Sequence, residues 1–240
     1  MLPGVIFSGP SLPRASVESA GFDWRPPVRR GDVAALLADR PAAIGIVDGV
    51  FETEPTVWHD EILDALALGI PVYGASSIGA LRAAELDSFG MIGVGTVYAA
   101  YRDGVIEDDD EVALLHAPAE LQFRPLTVPM INIRAGVADA LRRQVLPRMQ
   151  AVEFLASCAA TFYKQRTMER VGALACSVCG PLFEGPWHLD QKLVDAEQLV
   201  HHMVWETSSS RSIFVPRPLR PGKSVIMSAL SRSNVEGERP

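Results

Sequence analysis

The sequence predicts an α/β fold: an N-terminal parallel-sheet core, Rossmann-like or new in its connections, followed by a mostly helical C-terminal half. Three features carry that expectation. Short apolar, β-branched runs punctuated by glycine and proline recur in the first third of the chain, the mark of buried strands. A helical pattern separates two of them, and a crossover of that length joins parallel strands. Beyond about residue 111 the pattern is mostly helical.

The run "GVIFSGPSL" opens the sheet, with a strand through Val5, Ile6 and Phe7 that breaks at Gly9-Pro10. The second strand is "AAIGIVDGVF", residues 42–51, and the third is "GIPVYGAS", ending near Ser76. Their near-continuous apolar character fits a sheet covered on both faces. Between them, "EPTVWHDEILDALALG" sets Trp58, Ile62, Leu63 and Leu66 on one helical face, with Pro55 suited to a first turn and Gly69 to a C-terminal cap. After the third strand "SIGALRAAELDSFG" reads as a helix closed by Gly90, and the glycine-rich "GMIGVGTVYAAYRDG" follows. The long helical stretch from Val137 is interrupted by Pro147. Three regions are expected: an α/β core over 1–110, a helical half over 111–206 packed on it, and a flexible or irregular tail over 207–240, where "SSSRS" and "PRPLRPG" lack an apolar period.

Composition narrows the function. The 240 residues are 48% apolar, enough to bury a core. A formal charge of -7 and an isoelectric point near 5.3 argue against a nucleic-acid surface, which needs a basic face. No apolar run approaches the length that crosses a bilayer, and the start lacks a basic region and cleavage site, so a cytoplasmic protein is expected. Cys158, Cys176 and Cys179 are odd in number, and "CSVC" has no second pair to complete a zinc site. No metal or cofactor is expected. The acidic run "EDDDEV" lacks the spaced oxygen ligands of a calcium loop and reads as a solvated helix start.

In "PVYGASSIGALRAAEL" two serines stand where the third strand hands over to a helix, and sites in open parallel sheets form at such carboxyl ends. Matched to a nucleophile elbow, Ala75, Ser77 and Gly79 give A-x-S-x-G, and the amides of Ile78 and Gly79 would receive an oxyanion. Ser76 is then a cap or a supporting hydroxyl. Helix capping is the competing reading, because serine is a preferred N-cap. Catalysis also needs a base. His59, His116, His188, His201 and His202 sit in no triad phrase. Lysine is the other candidate, and the chain has only Lys164, Lys192 and Lys223 beside 19 arginines. Lys192 adjoins the apolar stripe of "HLDQKLVDAEQLVHHMVW", where burial would favour its neutral form. Lys164 falls half a turn off the stripe of Leu155, Ala159 and Phe162, and Lys223 belongs to the tail. The pattern favours Lys192 as base, with a snorkelling structural lysine as the alternative.

The blocks "FSGPSLP", "DGVFETEPTVWHDEILDALALGIPVYGASSIGALRAAEL", "GMIGVGTVYAAYRDGVIEDDDEVALLHAP", "FYKQRT" and "DQKLVDA", in that order, make the sequence resemble the TfuA family. The resemblance implies a partner of a YcaO enzyme in peptide backbone thioamidation. It implies hydrolysis of a ThiS-like sulfur carrier bearing a C-terminal thiocarboxylate, through a serine and lysine pair, and help to YcaO in engaging its precursor peptide. Carried over, the serine is Ser77 with Ser76 beside it, and the lysine is Lys192 or, second, Lys164. The sequence departs from the family pattern at Met168, usually tryptophan, and at Leu193, commonly basic. Two competing readings are a non-catalytic adaptor that binds YcaO and its peptide, and a nucleotide-binding domain. The glycines of "GMIGVG" are spaced G-x-x-G-x-G, unlike the dinucleotide fingerprint.

Overall fold

The structure is a computed structural model that describes residues 3–50, 54–180 and 189–209, with side chains as far as 206. Five parallel strands form one sheet in the order β2-β1-β3-β4-β5: β1 (Val5–Phe7), β2 (Asp23–Arg25), β3 (Ile44–Ile46), β4 (Val72–Ala75) and β5 (Ile92–Val94). In register, Ile44 pairs with both Val5 and Val72, and Tyr73 with Ile92. The connections are α1 (Arg14–Ser19), α2 (Asp32–Leu36), α3 (His59–Ala67) and α4 (Ile78–Leu86). The chain first builds outward to β2, then returns past β1 to lay β3 on its other side. That reversal makes the β1/β3 gap the switch point where open sheets hold ligands. The α/β class expected from the sequence is the observed one.

Two units divide the described chain. The first takes in residues up to 103, the loop 116–125 and α9 (Gln191–Ser209); the second takes in 104–115 and 126–190. The sequence reading set α9 in a helical half over 111–206, whereas in the structure α9 groups with the sheet. The reason is the period-2 alternation of the strands, which gives the sheet two apolar faces to bury. Val5, Phe7, Ile46 and Val72 pack with α2, α3 and α4. Ile6, Val47, Tyr73 and Ala75 face α1 and the stripe Ala196, Leu199, Val200 and Met203 of α9. Gly45 permits that contact: a Cβ there would lie 2.8 Å from the Met203 sulfur.

Two strands escape the sequence reading, β2 within "FDWRP" and β5 within the glycine-rich "GMIGVG". The α3 helix starts at His59, four residues past Pro55, with Trp58 as its N-cap. Glu61 caps it from within, its carboxylate accepting from the Trp58 N–H and from Gly31 and Ala34 at the start of α2.

In the second unit α6 (Met130–Arg142), α7 (Arg148–Ala159) and α8 (Met168–Cys179) enclose Phe154, Val137 and Val171. Pro147 is the N-cap of α7, as its break in the pattern predicts. The acidic run is not merely solvated: Glu111 pairs bidentately with Arg134, and Asp110 pairs with the fully buried Arg166. Arg166 also donates to the Thr161 carbonyl, so this guanidinium ties three segments of the unit together. The tail beyond 209 lies outside the described residues; the backbone of 207–209 still belongs to α9. No helix among the described residues is long and apolar enough to cross a membrane.

The glycines at the β4–α4 junction are fixed by close approach. A Cβ on Gly79 would sit 1.8 Å from the Ile46 carbonyl oxygen, and one on Gly74 would sit 2.1 Å from the Gly79 carbonyl oxygen. Gly79→Ala is therefore expected to destabilise the fold by about 3 kcal/mol or more, since backbone must move. Gly172→Ala in α8, whose Cβ would meet nothing within 4 Å, should stabilise by about 0.5–1 kcal/mol. Urea denaturation of the two variants checks both signs.

Candidate functional site

The carboxyl ends of β1, β3, β4 and β5 all carry polar groups in the first unit. After β1, the loop from Ser8 to Leu12 is wound by its own hydroxyls: Ser8 Oγ donates to the Leu12 carbonyl and accepts from Trp24 Nε1. After β3 stands Asp48, 2% exposed. Its Oδ2 accepts from the Gly9 N–H at 2.8 Å and the Ser11 N–H at 2.9 Å, and its Oδ1 accepts from the Ser11 hydroxyl at 2.6 Å. Asp48 thus spans the switch point between β1 and β3. Lys192, in the first turn of α9 and 2% exposed, brings Nζ to 4.0 Å from Asp48 Oδ1.

After β4 the chain turns through Ser76 and Ser77 into α4. Ser76 holds a left-handed φ of 70°, a conformation that costs a serine energy and that clusters at functional turns. Its Oγ is fully buried and has no hydrogen-bond partner among the described residues. Ser77 is the α4 N-cap, partly exposed, and its side chain makes no capping bond among the described residues. The strained backbone position expected of the elbow residue therefore falls on Ser76, one residue before the alignment centre. The Gly79 N–H is directed at the Val47 carbonyl at 3.4 Å, which removes it from the pair of amides expected to face an oxyanion.

After β5, the N-terminus of α5 (Gly95–Arg102) meets Asp195. The Asp195 carboxylate accepts from the Val97 N–H at 2.7 Å and from the Gln191 amide at 2.7 Å. Gly95 has a φ of 94°, and a Cβ there would lie 2.4 Å from Asp195 Cγ. Burial pushes the Asp195 carboxyl up to about 6, against the pull of the Val97 and Thr96 amides. The first two turns of α9 thus grip the ends of β3 and β5. The serine turn follows β4, the strand between them.

Lys164 lies in the second unit, exposed; its Nζ is 5.6 Å from the Tyr163 ring centroid and 5.7 Å from that of Phe162. It sits in a 3₁₀ turn (Tyr163–Gln165) beyond the end of α7, so the helical stripe used to place it stops short. Of the histidines, His59 pairs with Glu85 at 2.8 Å, His116 bonds the Ala117 carbonyl, and His202 meets the Tyr73 ring edge-on. His188 lies outside the described residues. The Cys158 thiol is buried and its pKa is pushed up to about 12, which keeps it neutral and inert. Asp48, Ser11 and Asp195 were not singled out from sequence. An acidic residue ending the apolar run "AAIGIVD" was the available signal for the first.

The Asp195 shift has a signed consequence. A carboxyl raised from 3.8 to about 6 on folding stabilises the fold most below its unfolded value, and that contribution disappears as pH rises through about 6. Asp195→Asn keeps the shape, retains one accepting oxygen for the Val97 N–H, and lacks the titration. Relative to that variant, the parent should lose roughly 2–3 kcal/mol between pH 4 and pH 7, read from urea midpoints at the two pH values. Equal pH dependence in the two proteins would contradict it.

A family model described as TfuA-like protein matches residues 48–167, half of the chain. Among curated proteins no match is found. The matched segment opens on Asp48, includes the Ser76-Ser77 turn and reaches Arg166, while Lys192 lies beyond it. With half of its length matched by that family model, the chain belongs to the TfuA-like family.

Proposed function

We propose that this protein works beside a YcaO enzyme in peptide backbone thioamidation and hydrolyses a thiocarboxylated, ThiS-like sulfur carrier to release sulfide. Family membership supports the YcaO association. The observation that supports the chemistry is the gathering of a buried lysine and a strained two-serine turn at one edge of one sheet. Ser77 is the attacking hydroxyl, because it is the serine of the turn that solvent reaches. The left-handed turn at Ser76 lifts it onto the α4 N-terminus. Ser76 Oγ, buried without a partner among the described residues, bonds the nucleophile or the tetrahedral oxygen. The Ile78 N–H, at the positive end of α4, faces the developing oxyanion.

Attack on the thiocarboxylate carbon forms an acyl ester on Ser77 and breaks the carbon–sulfur bond, so hydrosulfide leaves with the bonding pair. The serine proton passes to the Lys192 amine, and through that amine one proton reaches the departing sulfur, so the lysine ends the step in the state in which it began. Water then hydrolyses the ester: Lys192 hands a proton to the leaving Ser77 oxygen and recovers one from the attacking water, the second water proton goes to solvent, and the carrier departs as a carboxylate. The reaction itself asks for no cofactor. Hydrosulfide freed beside YcaO is the nucleophile for a peptide carbonyl activated by that enzyme, and the precursor peptide is met through YcaO.

Mass spectrometry of the carrier C-terminus follows the conversion of thiocarboxylate to carboxylate. Ser77→Ala should lose roughly 1,000-fold in rate or more while folding normally, whereas loss of a mere N-cap would cost about 1 kcal/mol of stability and spare the rate. Lys192→Met, which keeps the apolar stem, should be similarly impaired, and Lys164→Met should not. Full activity in Ser77→Ala with none in Ser76→Ala moves the nucleophile to Ser76. Full activity in both ends the serine-nucleophile reading, and no conversion by the parent, with thioamidation still supported, leaves an adaptor and ends the hydrolase reading.

A further inference from the structure

We propose that Asp48 is a positioning residue that keeps Lys192 an ammonium at the strand ends, so that the amine meets the sulfur as a cation and proton donor before it accepts the serine proton. This rests on the reading that Lys192 and the serine turn act together. Three donors fix the Asp48 carboxylate: two backbone amides and the Ser11 hydroxyl, all from the β1 loop. The anion cannot swing away, because the amides it accepts from are part of the chain that follows β1. A buried anion needs a partner charge, and Lys192, 2% exposed and 4.0 Å away, supplies it.

Of the other ionisable groups in and just before the first turns of α9, Asp195 aims its carboxylate at the α5 N-terminus and at Gln191, Asp190 accepts from Asn132 Nδ2, and Glu197 is exposed. The end of β4 brings only hydroxyls, Ser76 and Ser77, and the start of α5 presents Gly95 and the Val97 amide. Asp48 is thus a buried counter-charge held 4.0 Å from Lys192 Nζ.

That state suits the substrate. A thiocarboxylate is itself an anion, and a hydroxyl adds poorly to an anionic acyl carbon until the charge on sulfur is cancelled. Lys192 as an ammonium gives its proton to the sulfur, leaving a neutral thioacid and a neutral amine. Ser77 Oγ then bonds to the acyl carbon as its proton passes to that amine, and the carbon–sulfur bond breaks. The products are the serine ester, hydrosulfide and the restored ammonium. Charge and atoms balance, and no external base is consumed. Asp48 touches neither substrate nor product; it acts through the lysine.

The chain has three lysines, so full-length protein carrying ¹³C-labelled lysine gives few side-chain signals, and each is assigned by a Lys→Met variant. The Lys192 Cε resonance is followed from about pH 6 to 10, spanning the reference lysine value. The parent should stay protonated through about pH 8. Asp48→Asn, equal in shape and short of one charge, should lower the midpoint by roughly one pH unit or more. Ser11→Ala loosens the same loop without removing the charge and should leave the midpoint in place. In the carrier assay at pH 8, Asp48→Asn should lower kcat about tenfold or more, leave KM for the carrier within about twofold, and move the alkaline limb of the rate profile to lower pH.

A parent lysine already neutral at pH 7 overturns the proposal without any variant, as does an unmoved midpoint in Asp48→Asn. A moved midpoint with an unmoved rate profile overturns the catalytic part. If the parent converts no thiocarboxylate while its lysine titrates as stated, the hydrolase reading falls and the assignment of charge to the pair stands.

Discussion

The second face of the sheet depends on one packing contact, the seating of α9 on β3 through Gly45. The crossovers after β2, β3 and β4 load their helices on one side, where Val5, Phe7, Ile46 and Val72 are buried. The opposite face, with Ile6, Val47, Tyr73 and Ala75, has α1 alone among the crossover helices packed in its cluster. Each of these side chains contributes about 1.5–3 kcal/mol when fully buried, so leaving that face wet would be costly for a small domain. The missing cover comes from a helix more than a hundred residues further along the chain. Gly45 lets its Met203 and Leu199 settle against the strand. Once seated, α9 carries Lys192 and Asp195 to the strand ends without further adjustment. The site is thus a by-product of covering the sheet.

Much of the first unit was legible because strands buried on both faces are conspicuous. The runs around Ile6, Ile44 and Val72 are dense in β-branched residues, and the pattern of α3 has a clear period. The edge strands were not, for opposite reasons. The Asp23–Arg25 strand is polar and half-exposed, so its alternation carries little signal. The Ile92–Val94 strand has Gly93 at its centre, where a Cβ would collide with the Tyr98 ring at 2.2 Å. A glycine demanded by packing looked like a glycine of a loop. Pro55 was likewise misread, since the true start of α3 is fixed by the Glu61 carboxylate, a tertiary capping arrangement that also serves α2.

The candidate site was legible by residue type and hidden in its connections. Two serines at a strand end and a lysine beside an apolar stripe could be named. That the lysine's helix returns to the sheet could not, because nothing local to α9 distinguishes packing on a sheet from packing on helices. Nor could the partner Asp48 be chosen, since its role arises from backbone amides at Gly9 and Ser11, which no side-chain pattern announces. The same limit explains the acidic run. Asp110 and Glu111 became visible as structural groups only when Arg166 and Arg134 arrived from distant parts of the second unit.

The late place of α9 in the chain also orders events in time. The contact of Asp195 with Val97 closes a span of 98 residues, and the one between Lys192 and Asp48 closes a longer one. Contacts of such separation form slowly, after local helices and neighbouring strands have assembled. On the ribosome the strands and the serine turn emerge first, while the lysine follows only after the second unit has been made. During that interval the nascent chain holds the serine turn without the helix that brings Lys192 to the neighbouring strand end, and an apolar sheet face without its α9 cover. A protein built this way completes its candidate site and hides its stickiest surface in a single late step.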